Sequence, residues 1–449
     1  MAVSFKIVTL GCKVNQYESA YLASELVRSG WMHAGPGRPA DVVVVNTCIV
    51  TATAQRQSRQ AVRKAIRENP GALVAATGCY AQVFGEELSG IPGLHLVVDN
   101  REKVRLPELL RDNGKGQGSV RVLGRPFGDR VPFQHMPLES FPDRSRAFLK
   151  IQDGCDAYCS YCIVPYARGP CRSLAPGRVL EGLETLSRRG YREVVLTGIH
   201  LGRYGADLGE GVDLVGLLGL ILRENLPLRI RLSSLEPGEI RRPLIEMAAS
   251  EERLCAHFHI PLQSGDDGVL RRMNRRYGRA DFARVVRAIR DEIPQAGIGV
   301  DVMAGFPGED EKAHGNTKAL LRDLPVSYLH VFPYSPRKGT PASRFREQVE
   351  PSRIKERAAA LRNLGNRKKR AFQEACLDRV FEILVERGGA EEGGLCEGTS
   401  ENYLTVRFPL AGARIGDLVP VRTELSVRGA LVGSPTGGCT AVGGGAEGI

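Results

Sequence analysis

Three cysteines are spaced closely enough to bind one metal centre. Cys155, Cys159 and Cys162 follow the pattern C-x-x-x-C-x-x-C within residues 154–165. Thiolates are soft ligands, and three of them can hold an iron–sulfur cubane that normally takes four. One iron then lacks a protein ligand and can chelate a small molecule. The alternatives are scattered buried cysteines or a structural zinc site, which needs a fourth ligand, and only Cys171 follows nearby.

A second set of cysteines lies at the ends of predicted strands. Cys12, Cys48 and Cys79 come shortly after the apolar runs 5–10, 41–46 and 72–77. Parallel strands end at one edge of a sheet, where ligands bind. We therefore expect the three thiols to converge and to hold a second cluster. The alternative is three small buried residues in tight turns, because cysteine is often buried.

Composition limits the class of protein. The chain has 449 residues and is 42% hydrophobic, enough for about three domains that each bury a core. Its net charge of +11 favours a polyanionic partner such as nucleic acid, although a solvated basic surface is the alternative. Eleven cysteines without a secretory segment predict metal binding in a reducing cytoplasm. No apolar run approaches the ~20 residues that span a bilayer, so we expect no membrane association.

The remaining elements must position these cysteines. Strands alternating with helices at 17–29 and 52–68 predict a doubly wound α/β domain over residues 1–125. Residues 113–119 have the composition of a linker. Between 141 and 375, six βα units predict an open partial barrel with its site at the carboxyl ends of the strands. Its predicted strands are 147–152, 192–197, 228–233, 257–260, 297–302 and 328–331.

The carboxyl-terminal part is predicted to be a basic helix followed by a small β-barrel. A basic helix over 351–377 precedes short strands at 380–386, 394–399, 403–408 and 417–427, which predict a small β-barrel within residues 376–440. Tyr403 is a candidate for stacking on a base and Arg407 for meeting a phosphate, unless Tyr403 is a core aromatic. The Gly-rich tail from Gly429 is expected to be disordered.

Several motifs carry a resemblance to a known family. The cysteine loop resembles that of the radical S-adenosylmethionine (radical SAM) superfamily. Residues 9–19, 46–48 and 77–82 resemble the amino-terminal domain of the methylthiotransferases, and residues 397–403 and 415–419 resemble a TRAM domain. The resemblance implies an amino-terminal α/β domain, a radical SAM partial (β/α)6 barrel and a TRAM β-barrel, in that order.

The same resemblance implies the cofactors. Cys155, Cys159 and Cys162 would hold a 4Fe–4S cluster that binds and cleaves S-adenosyl-L-methionine. In the family, the amino-terminal cysteines, here Cys12, Cys48 and Cys79, hold a second 4Fe–4S cluster that carries the sulfur to be inserted. All six are therefore predicted as metal ligands and catalytic residues.

Residues near the cysteine loop and at the strand ends are candidates for binding S-adenosyl-L-methionine. Gly198 would let a strand end approach the cofactor closely. Glu236 would bind its ribose hydroxyls or ammonium group, and Gln263 its polar edges. Ser233 and Tyr161 lie in segments that match the family pattern and complete this predicted set.

The remaining histidine and cysteine candidates are assigned structural roles. His259 alone is expected to be a hydrogen-bonded core residue rather than an iron ligand. The other cysteines match no cluster motif and are treated as structural: Cys171, Cys255, Cys376, Cys396 and Cys439.

The resemblance also implies a reaction and partners. Residues 13–16, 160–162 and 166–169 resemble the branch that adds a methylthio group to C2 of N6-threonylcarbamoyladenosine, next to the tRNA anticodon at position 37. The alternatives are isopentenyladenosine in tRNA, an aspartate of a ribosomal protein, or a non-catalytic iron–sulfur RNA-binding protein. The expected electron donor is flavodoxin- or ferredoxin-like; the sequence does not identify the sulfur donor or the oligomeric state.

Overall fold

Six parallel strands form the sheet of the amino-terminal domain. In the computed structural model, which describes residues 2–112, 120–124, 126–128, 131–141, 144–388, 394–409 and 413–437, the strand order is β2-β1-β3-β4-β5-β6. The strands are β1 Ser4–Thr9, β2 Met32–His33, β3 Val42–Thr47, β4 Leu73–Gly78, β5 Leu96–Val98 and β6 Arg121–Leu123. The helices are α1 Lys13–Arg28, α2 Ala52–Glu68, α3 Cys79–Ser89 and α4 Leu106–Asp112. The predicted doubly wound domain is confirmed, whereas the predicted linker 113–119 lies outside the described residues.

The topology places the amino-terminal cysteines at one edge of this sheet. The chain order reverses between β1 and β3, and side chains at such a switch point border a crevice at the carboxyl ends of the strands. Cys12 follows β1, Cys48 follows β3, and Cys79 begins the helix after β4. β3 and β4 are buried throughout, which explains their continuous apolar sequences.

The central domain is an open partial barrel in two halves. Its strands are β7 Ala147–Lys150, β8 Gln152–Asp153, β9 Arg172–Ser173, β10 Glu193–Thr197, β11 Arg229–Leu232, β12 His257–Gln263, β13 Gly297–Ala304 and β14 Tyr328–Pro333. Its helices are α5 Val164–Arg168, α6 Pro176–Arg188, α7 Leu214–Arg223, α8 Arg242–Ser250, α9 Asp267–Arg272, α10 Arg279–Glu292 and α11 Glu311–Asp323. Parallel sheets β11-β10-β7 and β12-β13-β14 form the halves, and the Leu235 amide donates to the His259 carbonyl at 3.0 Å between them. The predicted architecture is confirmed.

Alternate residues of these strands line the inside of the partial barrel. Ile298, Val300 and Val302 of β13 are buried in the core shared with the helices. Asp301 and Met303 of the same strand are only partly buried, because they face the other way. The barrel therefore has an apolar outer face and an interior that accepts polar side chains.

A closed five-stranded barrel ends the described chain. Helix α12, Pro351–Ala375, precedes β15 Val380–Arg387, β16 Leu395–Ser400, β17 Thr405–Pro409, β18 Leu418–Val427 and β19 Ala430–Pro435. The predicted disorder from Gly429 onward is wrong for β19, which closes the barrel between β17 and β18. Ala430 and Leu431 are buried, and Gly429, with φ +81°, makes the turn into the strand. Residues 438–449, with Cys439, lie outside the described part of the chain.

Two arginines attach this small barrel to the β11-β10-β7 half of the partial barrel. Arg229 Nη1 donates to the carbonyl of Glu382 at 2.7 Å, and Arg231 Nη1 donates to that of Glu401 at 2.8 Å. Both guanidinium groups also pair with the buried carboxylate of Glu193. The contact lies at the amino-terminal ends of β10 and β11, opposite the strand ends that carry the predicted site. Across the described residues, no helix combines the length and apolarity needed to cross a bilayer.

Candidate active site

The first cysteine group lies in a loop that the rest of the domain holds in place. Gly154, with φ +77°, begins the loop, and a Cβ there would lie 1.9 Å from the carbonyl oxygen of Pro170. The Cys162 amide donates to the Cys159 carbonyl at 2.9 Å, and the Ser160 amide donates to the Met273 carbonyl at 3.0 Å. The loop is therefore a tight turn anchored on the segment that follows α9.

The three thiols of this loop are crowded together. Burial, together with the neighbouring thiolates of Cys159 and Cys155, raises the pKa of Cys162 to about 12. Arg275 Nη1 lies 3.2 Å from Cys159 Sγ, and His200 Nδ1 lies 3.5 Å from Cys155 Sγ. Mutually repelling thiolates in a buried loop are stabilised by a bound cation, so this donor set fits a metal cluster.

Three of the predicted cofactor residues lie at or near strand ends of the partial barrel and differ in how far the protein already engages them. Gly198 packs against Gln152: a Cβ at this position would lie 2.7 Å from Gln152 Oε1. The Ser233 hydroxyl oxygen is buried without a hydrogen-bond partner among the described residues, so it is free to bind a ligand. Gln263, with φ +62°, lies where the pairing of β12 with β13 becomes irregular.

Glu236 and Tyr161 are already engaged by the protein. The Glu236 carboxylate accepts a hydrogen bond from Arg275, which also donates to Cys159. Burial raises the pKa of Glu236, although Arg275 opposes the increase. The Tyr161 ring packs edge-on against Phe306 at 6.3 Å within an apolar cluster. Their predicted roles toward the cofactor stay predictions.

The amino-terminal cysteines also lie together. A Cβ at Gly11, where φ is +103°, would lie 2.9 Å from Cys48 Sγ, so the backbone before Cys12 passes directly against this thiol. Burial, together with the adjacent Cys79 thiolate, raises the pKa of Cys48 to about 11. Cys12 keeps exposed surface, whereas Cys48 and Cys79 are buried. The convergence expected from the strand ends is present, and iron binding stays a prediction.

Asparagine side chains hold the strand ends at the required spacing. Asn15 Nδ2 donates to the carbonyls of Leu10 at 2.7 Å and Thr47 at 3.1 Å, which joins the ends of β1 and β3. Asn46 Nδ2 donates back to the Asn15 carbonyl at 3.0 Å. Cys12 and Cys48 therefore sit on a cross-linked edge of the sheet.

Arg168 connects the two cysteine groups. It ends α5, which begins two residues after Cys162, and its Nε lies 3.3 Å from Cys79 Sγ. Its guanidinium also pairs with the buried carboxylate of Glu18 and donates to Asn15 Oδ1 at 2.6 Å. The sequence analysis missed this residue, although residues 166–169 were noted as a motif. The partners are far apart in the sequence, so no local pattern links them.

The buried residues around Arg168 carry more positive than negative charges. Two buried carboxylates, Glu18 and Asp153, face a larger number of buried cations: Lys103, Lys150, Arg168 and Arg172. Arg168 and the two lysines lower the pKa of Glu18 well below its usual range against the opposing effect of burial. An excess of positive charge beside three thiols suits an anionic thiolate cluster.

Arg337 adds a further unpaired donor near the same thiols. Its side chain is buried, and Nε and Nη1 have no hydrogen-bond partner within the described ranges. Burial lowers the pKa of Arg337, and the nearby Cys48 thiolate acts in the opposite direction. Orphaned buried donors near Cys48 fit a negatively charged group bound to the amino-terminal thiols.

A cluster of polar residues lines the barrel interior below the strand ends. His259 Nε2 lies 2.8 Å from Asp301 Oδ1, and His330 Nδ1 lies 3.5 Å from the same oxygen. Burial opposes ionisation of Asp301, but hydrogen bonds from these histidines lower its pKa. His259 is thus hydrogen-bonded, as the sequence analysis expected, but it faces the interior cavity.

The two predicted RNA contacts of the small barrel are both engaged within the protein. Tyr403, with φ +71°, stacks on His257 with ring centroids 4.4 Å apart, so the partial barrel covers one face of its ring. Arg407 Nε lies 2.8 Å from Glu397 Oε2. Contact with RNA by either residue stays a prediction.

Comparisons with known proteins agree with this division of the chain. Residues 4–99 match a family described as "Uncharacterized protein family UPF0004", and residues 149–321 match the "Radical SAM superfamily". The chain is 36% identical over 416 residues to the threonylcarbamoyladenosine tRNA methylthiotransferase MtaB of Bacillus subtilis, which covers 92% of each chain. The MtaB protein of Aquifex aeolicus is 37% identical over 409 residues, covering 91% of this chain and 96% of its own.

The chain belongs to the radical SAM methylthiotransferase family. A tRNA-2-methylthio-N(6)-dimethylallyladenosine synthase of Pelotomaculum thermopropionicum is also similar to this methylthiotransferase, at 32% identity over 96% of the chain and 97% of that protein. The solved structure of the radical S-adenosylmethionine methyltransferase TsrM from Kitasatospora setae shares the fold, with a TM-score of 0.54 at 16% identity over 76% of this chain and 77% of that one. As a radical SAM methylthiotransferase, the protein is an enzyme whose superfamily uses a 4Fe–4S cluster and S-adenosylmethionine.

Proposed function

We propose that the enzyme adds a methylthio group to C2 of N6-threonylcarbamoyladenosine next to the anticodon of tRNA. The observation that carries this proposal is the docking of α5 on the amino-terminal domain. Asn100, which follows β5, donates through Nδ2 to the Ala167 carbonyl at 2.7 Å, and Arg168 reaches Cys79 at the start of α3. A radical-generating centre and a sulfur-carrying centre would then border one cavity. The MtaB relatives, whose names specify this nucleoside, support the choice of substrate.

Six cysteines would hold the metal centres. Cys155, Cys159 and Cys162 would bind the cluster that the superfamily uses, and the amino-terminal group of Cys12, Cys48 and Cys79 would bind a second one. When bound, these groups and S-adenosylmethionine supply the carbon radical, the sulfur and the methyl group that substitution of an unactivated C–H bond requires.

The other residues of the site would bind and position. Ser233 offers a free hydroxyl to S-adenosylmethionine, and Gly198 keeps the adjacent strand end close to Gln152. Arg275 holds Glu236 and Cys159 together, so a ligand bound at Glu236 would be held beside the first cluster. Tyr161 and Gln263 would complete the wall around this cofactor.

The charge of the surface supports an RNA substrate. The net charge is +11, and α12 contributes exposed cations at Lys355, Arg362, Arg367, Lys369 and Arg370. Two further basic residues of this helix are used inside the protein: Arg357 donates to the Glu309 carbonyl, and Lys368 donates to the Arg322 carbonyl. The exposed cations of α12 therefore form a basic surface that can bind a polyanion. We further propose a cytoplasmic enzyme that takes electrons from a flavodoxin- or ferredoxin-like protein and sulfur from a separate donor.

Mass spectrometry of tRNA nucleosides tests the proposal. A strain that lacks the gene should lose 2-methylthio-N6-threonylcarbamoyladenosine and accumulate N6-threonylcarbamoyladenosine, and the wild-type gene should restore the product. A Cys159→Ala gene should not restore it. Loss of the methylthio derivative of isopentenyladenosine, or of a modified aspartate in a ribosomal protein, would instead identify the sister reactions. Purified enzyme with both clusters that releases no 5'-deoxyadenosine would indicate the non-catalytic alternative.

A further inference from the structure

A cavity of about 410 Å³ lies where the three domains meet. Helix α1 contributes Lys13 and Gln16, the partial barrel contributes Phe148, Val195 and Arg231, and the small barrel contributes Tyr403. Val195 pairs with Phe148 on one neighbouring strand and with Arg231 on the other. The three side chains therefore lie side by side on the interior face of the partial barrel. The cavity is therefore the lower part of the interior of the partial barrel.

This cavity lies directly below the predicted cofactor residues. Arg231 and Ser233 are two positions apart along one chain segment, so they point to the same side and are about 7 Å apart. Lys13 directly follows Cys12 in the sequence. A group in the cavity would therefore be close to Ser233 and to the amino-terminal cysteine group.

Lys13 differs from the other cations around this cavity, which either pair with a carboxylate or, like Arg144, are exposed and lie over an aromatic ring. Arg146 pairs with Glu193 and Glu386, and Arg231 pairs with Glu193. Within the described residues, Lys13 has neither a carboxylate within 4.0 Å nor a hydrogen-bond partner, although it is partly buried. Its ammonium group is thus available to an anion that the protein itself does not provide.

The position of Lys13 does not serve the stability of α1. It is the first residue of this helix, where the positive end of the helix dipole disfavours a cation. A residue that conflicts with local stability and lacks a partner is expected at a functional site.

We propose that the Lys13 ammonium group binds the carboxylate of the threonyl group on the substrate nucleoside. The inference rests on the proposed function, because it assigns the residue that recognises this substrate. The threonylcarbamoyl arm carries one negative charge, whereas an isopentenyl arm is neutral. Lys13 is therefore a specificity-determining residue that favours the anionic arm.

A binding cycle with reconstituted holoenzyme tests this contact. Anticodon stem–loop RNAs carry N6-threonylcarbamoyladenosine or its methyl ester, and dissociation constants are measured by fluorescence anisotropy. Esterification should weaken binding to the wild type about tenfold or more, the loss expected for a charge-assisted hydrogen bond. The Lys13→Gln variant should bind the acid RNA about tenfold or more weakly than the wild type does. It should bind the ester RNA no more weakly than the acid RNA. The Lys13→Arg variant should still bind the acid RNA more tightly than the ester RNA.

Controls separate this contact from general effects. Arg144→Gln removes an exposed cation that lines the same cavity, and it should weaken binding of both RNAs equally. Iron content is measured for each variant because Lys13 adjoins Cys12. Equal binding of acid and ester by the wild type, or equal loss of both in Lys13→Gln, would overturn the inference.

Turnover distinguishes this failure from failure of the proposed function. If the wild type methylthiolates the acid RNA but does not distinguish it from the ester, only the role of Lys13 is wrong. If the wild type converts isopentenyladenosine RNA and leaves the acid RNA unchanged, the proposed function and the role of Lys13 are both wrong.

Discussion

The guanidinium of Arg168, which belongs to the central domain, lies 3.3 Å from the thiol of Cys79, which belongs to the amino-terminal domain. The same guanidinium pairs with Glu18 in α1. One side chain therefore joins the loop of the first cysteine group to the sheet edge that carries the second. The relative position of the two groups depends on a buried polar network rather than on apolar packing alone.

Replacing Arg168 by Met should destabilise the protein by about 3 kcal/mol, because Glu18 keeps its charge but loses a buried partner. We also expect less iron bound by the amino-terminal thiols. Thermal unfolding and iron analysis measure the two effects. Arg178→Met is the matched control, since Arg178 forms an exposed ion pair with Glu181, and it should change neither quantity measurably. Normal iron content in Arg168→Met would separate this network from cluster binding.

Gly11→Ala should prevent assembly of the second cluster. The added methyl group would lie 2.9 Å from Cys48 Sγ, and the φ of +103° disfavours any side chain. Gly30→Ala provides the control, because Gly30 has a φ of +82° but open space around it. In both variants, backbone strain should lower the free energy of unfolding by about 1 kcal/mol. Only Gly11→Ala should bind less iron than the wild type. Equal iron content in the two variants would contradict this prediction.

Cys159→Ala should abolish cleavage of S-adenosylmethionine. Two thiols remain in the loop, too few to hold the proposed three-thiolate cluster. Chromatographic detection of 5'-deoxyadenosine after anaerobic reconstitution and reduction measures the effect. Cys376→Ala serves as a control, since Cys376 is a buried thiol in the core of the small barrel. Retained cleavage in Cys159→Ala would remove this cysteine from the radical centre.

Cys48→Ala should leave cleavage of S-adenosylmethionine intact while stopping formation of the methylthio product. The first cysteine group does not include Cys48, so radical formation should continue in its absence. Nucleoside mass spectrometry gives the product, and a parallel 5'-deoxyadenosine assay gives the cleavage. A normal yield of methylthio product would show that the amino-terminal thiols are not needed for the sulfur step.

Glu193→Gln should lower stability at neutral pH by about 3–5 kcal/mol, because the buried Arg229 and Arg231 and the half-buried Arg146 lose their shared carboxylate. Burial opposes ionisation of Glu193, but Arg231, Arg229 and Arg146 lower its pKa below the value of ~4.3 found in unfolded chains. The charged carboxylate therefore stabilises the fold above about pH 4.3, and this contribution decreases as the pH falls toward the folded-state pKa. Urea unfolding from pH 7 to pH 3 should show the wild type approaching the variant at low pH.

The control for this pH dependence is Glu246→Gln. Glu246 forms an exposed ion pair with Arg242, and its loss should leave the unfolding midpoint unchanged across the range. A constant difference between wild type and Glu193→Gln at every pH would show that Glu193 acts through packing rather than charge.

Local spacing and strand pattern predicted much of this molecule. The loop from Cys155 to Cys162 is a short-range motif, and the buried strands β3 and β4 begin with the continuous apolar runs 42–45 and 73–76, so both could be predicted from the sequence. The convergence of Cys12, Cys48 and Cys79 followed from a topological rule, because one cysteine follows each of three parallel strands.

Contacts between distant segments could not be predicted in this way. Arg168 and Glu18 are 150 residues apart, and His259 and Asp301 are 42 residues apart. Such pairs depend on how whole domains dock, which no local pattern encodes. The short strand β2 has two residues, and a period of two cannot be detected over that length.

Some of the contacts that hold the small barrel are made to its backbone rather than to its side chains. Arg229 and Arg231 donate hydrogen bonds to backbone carbonyl groups of the small barrel. These hydrogen bonds therefore do not depend on the side chains of the residues that carry the carbonyls. A change of side chain at Glu382, Thr399 or Glu401 would therefore leave these hydrogen bonds in place. RNA bound to the small barrel would then lie at a fixed distance from the cysteine loop of the partial barrel. That distance would determine which nucleotide reaches the site and is modified.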